Sequence, residues 1–352
     1  MTKERVIYFD YLRVFAIFAI IILHIATQNW ETGDVYGFQW NVLNVYDSLV
    51  RWGVPVFVMI SGALFLGREI EIKKLYTKNI SRLIVAYFVW SVFYALWLPL
   101  SKLVLTGENT LSLSTVMGDI VTGAYHMWFI PMIIGLYMCV PIIKKITENK
   151  KLTEYYLLLS FVFVFAVPQI LNILKDFTEI FIIEKLDELL SNMHLDILLG
   201  YSFYFVLGQY LTNKELSKKQ RVPLYLFGVV GFAFTILLTA FASRKTGSAV
   251  ETYYMNFNVN VLSEAVAMFV LFKQMNFKND KLNKVMSYFS KYSFGAYLVH
   301  IFIISVLIAV GINTSICNPL LSVPAISLIV VVASFLISFI LNKIPFINKC
   351  VV

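Results

Sequence analysis

From Val6 to Ala26 the chain reads VIYFDYLRVFAIFAIIILHIA, an apolar run long enough to cross a bilayer as a helix, and yet it carries Asp10, Arg13 and His24. An ionisable side chain at bilayer depth costs on the order of 2.5–3.5 kcal/mol, so three in one span call for a polar interior, a pair partner or a reacting substrate. At ~1.5 Å of helical rise per residue, Arg13 and His24 stand roughly 16 Å apart, two stations along a path rather than a contact pair. Asp10 and Arg13 are three residues apart, share a helix face and are expected to neutralise each other in part.

Composition puts the whole chain in the same environment. Of 352 residues, 59% are hydrophobic and 14% charged, against about 25% charged in a soluble domain. Apolar segments recur at roughly 6–26, 49–67, 83–101, 124–143, 155–174, 197–212, 222–242, 257–273, 292–311 and 321–341. Most have close to the ~20 residues that a crossing helix needs; the sixth and eighth are short. The expectation is an all-α polytopic membrane protein of about ten transmembrane helices, one membrane-embedded domain over 1–352. No hydrophilic domain, low-complexity tract or clear internal repeat interrupts the series.

The net charge of +8 lies in the short connections, which fits membrane topology and argues against a nucleic-acid partner. With MTKER inside, only Arg51, Lys102, Lys175, Lys185, Arg244 and Lys245 lie outside, against 22 inside, from Lys3 and Arg5 to Lys343 and Lys349. Both termini are therefore expected in the cytoplasm. No small-residue cleavage site follows the first segment, which reads as a retained span. Outside, residues 27–48 mix Trp30, Tyr36, Trp40 and Tyr46 with acids and amides, a composition that suits a sugar-facing surface and equally an interfacial aromatic belt. Residues 175–196 read as an amphipathic helix on the outer interface.

Several side chains could carry chemistry. His24 lies near the outer end of its span, where a neutral imidazole can take the proton of an attacking hydroxyl; a hydrogen bond to a neighbouring helix is the alternative. His126 opens HMWFIPMIIGLY at the outer mouth with Trp128 beside it, and a cavity wall and an ordinary membrane boundary suit them equally. His300 ends SFGAYLVH in mid-helix, where a structural hydrogen bond is at least as good an account as catalysis. Glu264 is deeply placed in the eighth span, able to orient a base or to pair with Arg13 or Arg51. His194 reads as a surface residue. Ser61 lacks a GxSxG elbow, so Ser61 and Gly62 read as small residues for close helix packing.

On the inside, GREIEIKKLYTKNISR leads into the third span. There Arg82 is where a phosphorylated cytosolic donor would first meet positive charge, while Lys73, Lys74 and Lys78 read more readily as snorkelling topology charge. The chain has no phosphate loop, dinucleotide fingerprint or HExxH. Its histidines have no close Cys or carboxylate partners, and Cys139, Cys317 and Cys350 are scattered, so neither a metal site nor a disulfide framework is expected.

Arg13, ten intervening residues and then His24 resemble the first-helix signature of the integral-membrane acyltransferase 3 family. FDYLRVFAIFAIIILH, FVMISGALF, HMWFIPMIIGLY and SFGAYLVH extend the resemblance over nearly the whole chain. It is similar above all to the short branch without a fused extracytoplasmic domain, that of enterobacterial-common-antigen O-acetyltransferases and the staphylococcal poly-N-acetylglucosamine biosynthesis membrane acyltransferases. The resemblance implies a multi-pass protein of the bacterial cytoplasmic membrane that binds no permanent cofactor. It implies acetyl-CoA or another acyl-CoA as co-substrate, and a hydroxyl of a cell-surface polysaccharide or lipid-linked sugar as acceptor. His24 matches the family's essential histidine and Arg13 its first-helix arginine. Arg82 matches the second of an arginine pair entering the third span. Asn79 stands where the first would be, with Lys78 adjacent, a departure that implies either a different acyl group or a displaced positive contact to the donor. A transporter or flippase for a polysaccharide or lipid-linked substrate is the competing class, since buried charges in ten spans suit it too; inverted repeats would favour it.

Overall fold

The computed structural model describes residues 5–108, 112–178, 180–345 and 347–351, and the regular structure among them is helical throughout. Lys3, counted above among the inside charges, lies outside the described residues. In chain order the helices are α1 (Ile7–Ala26), α2 (Phe38–Ser48), α3 (Gly53–Leu66), α4 (Ile72–Lys74), α5 (Ser81–Thr106), α6 (Leu113–Thr122), α7 (Phe129–Thr147) and α8 (Lys150–Ser160). They continue as α9 (Val167–Phe177), α10 (Phe181–Ser191), α11 (Asp196–Asn213), α12 (Lys218–Thr246), α13 (Val259–Gln274), α14 (Asp280–Ala309), α15 (Pro319–Leu341) and α16 (Ile347–Cys350). Two π-helical turns, Leu75–Ile80 and Phe161–Ala166, lead into α5 and α9.

The sequence sets these ends locally. Ser112 caps α6 and Asn149 caps α8, each side-chain oxygen accepting a free backbone N–H of the first turn at 3.1 Å. Asn279 does the same for two N–H groups of α14, and Ser217 with Gln220 forms a capping box on α12. Pro319 in the first turn of α15 gives up an N–H that would have had no helical partner. Gly107 and Gly247, at φ +72° and +73°, stop α5 and α12 in the left-handed conformation that glycine adopts without a Cβ penalty.

Nine helical segments among the described residues are long and apolar enough to cross a membrane: Ile7–Asn29, Phe38–Leu66, Ile72–Leu105, Leu113–Thr147, Lys150–Phe177, Lys218–Thr246, Thr252–Gln274, Asp280–Ala309 and Pro319–Leu341. The expected sixth span is missing from that set. Its residues form α11, 18 residues long, broken by non-helical angles at Gly200 and diluted by Gln209 and several tyrosines. Apolar length alone therefore supports nine crossings where about ten were expected.

The chain divides into two compact units, each assembled from separate stretches. The first takes residues 1–28, 70–139 and 278–352; in it α1, α14 and α15 pack on one another and α5 packs on α14. The second takes residues 29–69 and 140–277 and is built on α3 against α11 and α12 against α13. The α3–α11 crossing rests on two glycines. A Cβ on Gly62 would stand 1.8 Å from the Phe205 carbonyl oxygen, and one on Gly208 would stand 2.0 Å from that of Met59. Backbone meets backbone there, which is why Gly62 carries no side chain. The Ser61 hydroxyl is taken up by the Phe57 carbonyl at 2.9 Å within its own helix.

Residues 27–48 depart from the open aromatic surface considered above. Trp30 and Trp40 are buried and stacked, with centroids 5.8 Å apart, and the Trp40 indole donates to the Trp30 carbonyl at 3.0 Å. Burying two large rings outweighs displaying them, and Tyr36 is left exposed. Residues 181–191 do form a helix, with Phe181, Ile182 and Leu189 on its exposed side.

Candidate active site

Within the first unit α1 and α14 run parallel, joined near their N-terminal ends by a polar clasp. The Ser287 hydroxyl donates to Asp10 at 2.8 Å, and the Tyr11 hydroxyl donates to the Asn283 side chain at 3.1 Å. Asp10 is not chiefly the partner of Arg13, which approaches it only to 3.7 Å. Arg5 holds it instead, forking onto both carboxylate oxygens at 2.5 and 3.0 Å while also donating to the Ser287 carbonyl. Two-point guanidinium–carboxylate geometry is the stronger arrangement, and the hydrogen bond to Asp10 raises the pKa of Arg5. The side chain of Arg13 is left 29% exposed, its charge only loosely matched by Asp10.

α5 lies along α14 in the same direction. The Arg82 guanidinium sits 5.8 Å from the Phe294 ring centre. Further on, the Tyr94 hydroxyl donates to the Leu298 carbonyl at 2.7 Å and accepts from the Phe302 N–H at 3.1 Å, and the Trp97 indole donates to Ser305 at 2.7 Å. Arg82 is exposed, and so is Lys78, which stands in the π-helical turn Leu75–Ile80 ahead of α5. Such turns project side chains off the regular helical register.

At the far end of α1 three histidines meet. The ring centres of His24 and His300 are 5.1 Å apart, and those of His126 and His300 5.2 Å. His126 is carried there by the 3-10 turn Tyr125–Trp128, which precedes α7. That turn is tied down by the Tyr297 hydroxyl, which donates to the His126 carbonyl at 2.6 Å. Tyr94 stands 5.0 Å and Tyr297 5.8 Å from the His126 ring, and Tyr125 5.6 Å from His24. His24 is half-buried, whereas His126 and His300 are 2% and 0% exposed.

The hydrogen bonding gives these rings a direction. His300 Nδ1 faces the Tyr297 carbonyl at 2.5 Å, and because a carbonyl can only accept, Nδ1 carries the proton and Nε2 the lone pair. That Nε2 is buried with no hydrogen-bond partner among the described residues, while the His126 imidazole has the Leu298 backbone within reach. Buried polar atoms cost free energy unless a ligand or water meets them. A half-buried imidazole beside two sealed ones can pass a proton to or from a hydroxyl brought against it.

The other expected residues lie elsewhere. Trp128 is 41% exposed and packs on Phe129. Glu264 belongs to the second unit, where it accepts from the Thr235 hydroxyl at 2.5 Å. It is not the ion-pair partner of Arg51, which bonds to Asp47 and lies over the Tyr254 ring at 3.8 Å. Asp47 sits one helical turn before Arg51 and so forms the pair at no cost in loop closure. His194 is exposed. Among the described residues no group of three or more His, Cys, Asp or Glu is arranged to hold a metal ion.

Imidazoles and phenols gathered inside a polytopic helical protein suit a membrane enzyme whose chemistry moves a proton. The chain belongs to the acyltransferase 3 family: residues 6–343 match its acyltransferase domain. It is also 24% identical over 310 residues to the "Probable poly-beta-1,6-N-acetyl-D-glucosamine export protein" of Staphylococcus aureus (strain MRSA252), covering 85% of this chain and 82% of that one. No solved structure matches it.

Proposed function

We propose that this protein is an O-acyltransferase of the bacterial cytoplasmic membrane, moving an acyl group, acetyl from acetyl-CoA, to a hydroxyl of a cell-surface polysaccharide or lipid-linked sugar. The observation that carries the reading is the meeting of His24, His126 and His300, with Nε2 of His300 buried and without a hydrogen-bond partner among the described residues. His24, the half-buried member, takes the acceptor proton as the hydroxyl oxygen attacks the thioester carbonyl; the C–S bond breaks and the thiol leaves with a proton. Alternatively His24 takes the acyl group first, if donor and acceptor come from opposite faces. Arg82 and Lys78 supply positive charge to the donor phosphates, and Arg13 supports the donor or the developing oxyanion. The family match runs through stretches of both units, which supports treating residues 1–352 as one functional domain.

Ten crossings with both termini cytoplasmic belong to the same reading. Six of the nine apolar segments lie between α1 and α14, and an even number of intervening crossings would make those two helices antiparallel. They are parallel, as their contacts Asp10–Ser287 and His24–His300 require. One further crossing between them restores the parity, and α11 supplies it. The bias of Lys and Arg then puts the termini inside.

Transfer of label from radiolabelled acetyl-CoA to extracted surface glycans and lipid-linked sugars, in membranes carrying the wild type, His24→Ala or Arg13→Ala, tests the activity. Label that depends on His24 supports it; undiminished transfer by His24→Ala removes His24 from the mechanism. Export is the second reading, favoured by the name of the staphylococcal relative. Glycan that reaches the outside unlabelled, with no thioester turnover from acetyl-CoA or succinyl-CoA, would favour it.

A further inference from the structure

Away from the histidines, the first unit carries an apolar groove of about 520 Å³ between α1, α14 and α15. Phe15 and Phe18 of α1 form one wall, Tyr288 and Tyr292 of α14 a second, and Leu328 to Phe339 of α15 the third. Phe15, Leu328 and Leu336 are 43%, 60% and 56% exposed, so the groove opens where a spanning helix meets lipid. Its long dimension follows α15 for eleven residues, roughly 16 Å, which is about half the hydrocarbon thickness.

One end is charged. The ammonium of Lys343 lies 5.1 Å from the Phe339 ring centre and that of Lys291 5.3 Å from the Tyr292 ring centre, both on rings that line the groove. The charges of both lysines also act on the Tyr288 phenol between them. Both are exposed, and neither forms a salt bridge with a described residue. Snorkelling accounts for one lysine near a helix end. Two of them, one on α14 and one just past the end of α15, flanking the same end of an apolar slot one leaflet deep make a phosphate seat above a chain seat.

We propose that this groove binds an anionic glycerophospholipid, its acyl chain along Phe18, Leu328 and Leu336 and its phosphate between Lys291 and Lys343. A single-leaflet depth suits a phospholipid chain rather than the far longer chain of a polyprenyl carrier. The site is separate from the acyl-transfer chemistry and does not depend on it.

The test uses the full chain, purified in detergent and titrated with palmitoyl-oleoyl phosphatidylglycerol or with phosphatidylcholine of the same chains. Native mass spectrometry reads occupancy and thermal unfolding reads the stabilisation. Phosphatidylglycerol should be preferred by roughly fivefold per lysine, the factor that one basic group near an anionic headgroup confers. Lys291→Gln with Lys343→Gln should abolish that preference while both lipids still bind, and Leu336→Trp should exclude both. If Leu336→Trp does not fold, Val332→Phe on the same wall serves instead. Equal binding of the two lipids by the wild type, a preference that survives the double lysine variant, or tighter binding of a C55 polyprenyl phosphate would overturn the assignment.

Discussion

His24 and His300 face each other with ring centres 5.1 Å apart, while near the other end of the same two helices the Ser287 hydroxyl holds Asp10 at 2.8 Å. Fourteen residues separate Asp10 from His24 and thirteen separate Ser287 from His300, which at ~1.5 Å per residue are roughly 21 and 20 Å. The two helices therefore keep step, and a clasp at one end helps to set the meeting of the imidazoles at the other. Arg13 and Arg82 fall between, Arg82 at the level of Phe294, so cationic groups stand between the clasp and the histidines.

The pairing gives His300 a measurable role. His300→Gln removes the Nε2 lone pair and is expected to lower kcat by about tenfold to a hundredfold, and His24→Ala by about 10²–10⁴-fold, the range for loss of a positioned acid–base group. Acetyl-transfer rates at saturating donor, with circular dichroism to confirm folding, decide it. His300→Gln at wild-type rate would leave His24 to act without it.

Breaking the clasp should loosen that meeting without touching it. Ser287→Ala removes one hydrogen bond to a carboxylate and is expected to cost about 1.5–3 kcal/mol. Arg5→Gln strips Asp10 of its main counter-charge and should cost no less, about 2–3 kcal/mol, held below the loss of a fully buried pair because the Arg5 side chain is 58% exposed and screened by water. Thermal unfolding in detergent measures both, and a smaller loss for Arg5→Gln than for Ser287→Ala would contradict the geometry.

Arg82 and Lys78 are exposed, so their loss should act on donor binding rather than on chemistry. Arg82→Ala is expected to raise KM for acetyl-CoA by about tenfold or more with kcat changed far less, and Lys78→Ala by a smaller factor, since removing one charge-assisted hydrogen bond to a phosphate costs about 1.5–3 kcal/mol. Steady-state kinetics over donor concentration separate the two constants. A fall in kcat at unchanged KM would move Arg82 into the chemistry.

The first helix was legible in the sequence because charges in an apolar run have few explanations, and His24 and Arg13 sit on it as the spacing implied. Arg5 was hidden: as a basic residue ahead of a span it looked like topology charge, and only the fold brings it back onto Asp10. The meeting of His126 and His300 with His24 joins residues more than 100 apart along the chain, and no local period encodes that contact. Both histidines were visible as candidates, but not as neighbours. Glu264 and Arg51 misled in the opposite way, since a partner four residues off, Asp47, wins over a distant carboxylate.

Close packing at Gly62 and Gly208 leaves no room for a methyl group. Gly62→Ala puts a Cβ 1.8 Å from the Phe205 carbonyl oxygen, so α3 and α11 must part along their crossing. Overpacking of this kind typically costs about 1–3 kcal/mol, and backbone contact on both helices puts Gly62→Val above that range. Gel-filtration profiles and melting of Gly62→Ala, Gly62→Val and Gly135→Ala provide the check. Gly135 has no atom within 4 Å of an added Cβ, and its variant should behave as wild type.

Whether α11 crosses decides the side on which everything after it emerges. With α11 as the added crossing, the connection between α14 and α15 lies outside and the C-terminus inside; without it the two exchange places. Cys317 is in that connection and exposed, and Cys139, on α7, is the other exposed cysteine among the described residues. In a variant that keeps Cys317 alone, a membrane-impermeant maleimide should label intact cells, and a reporter fused after Val352 should be active only in the cytoplasm. Labelling that requires broken cells would place α14 in the opposite sense. It would also conflict with the parallel run of α1 and α14 on which the meeting of His24 and His300 depends.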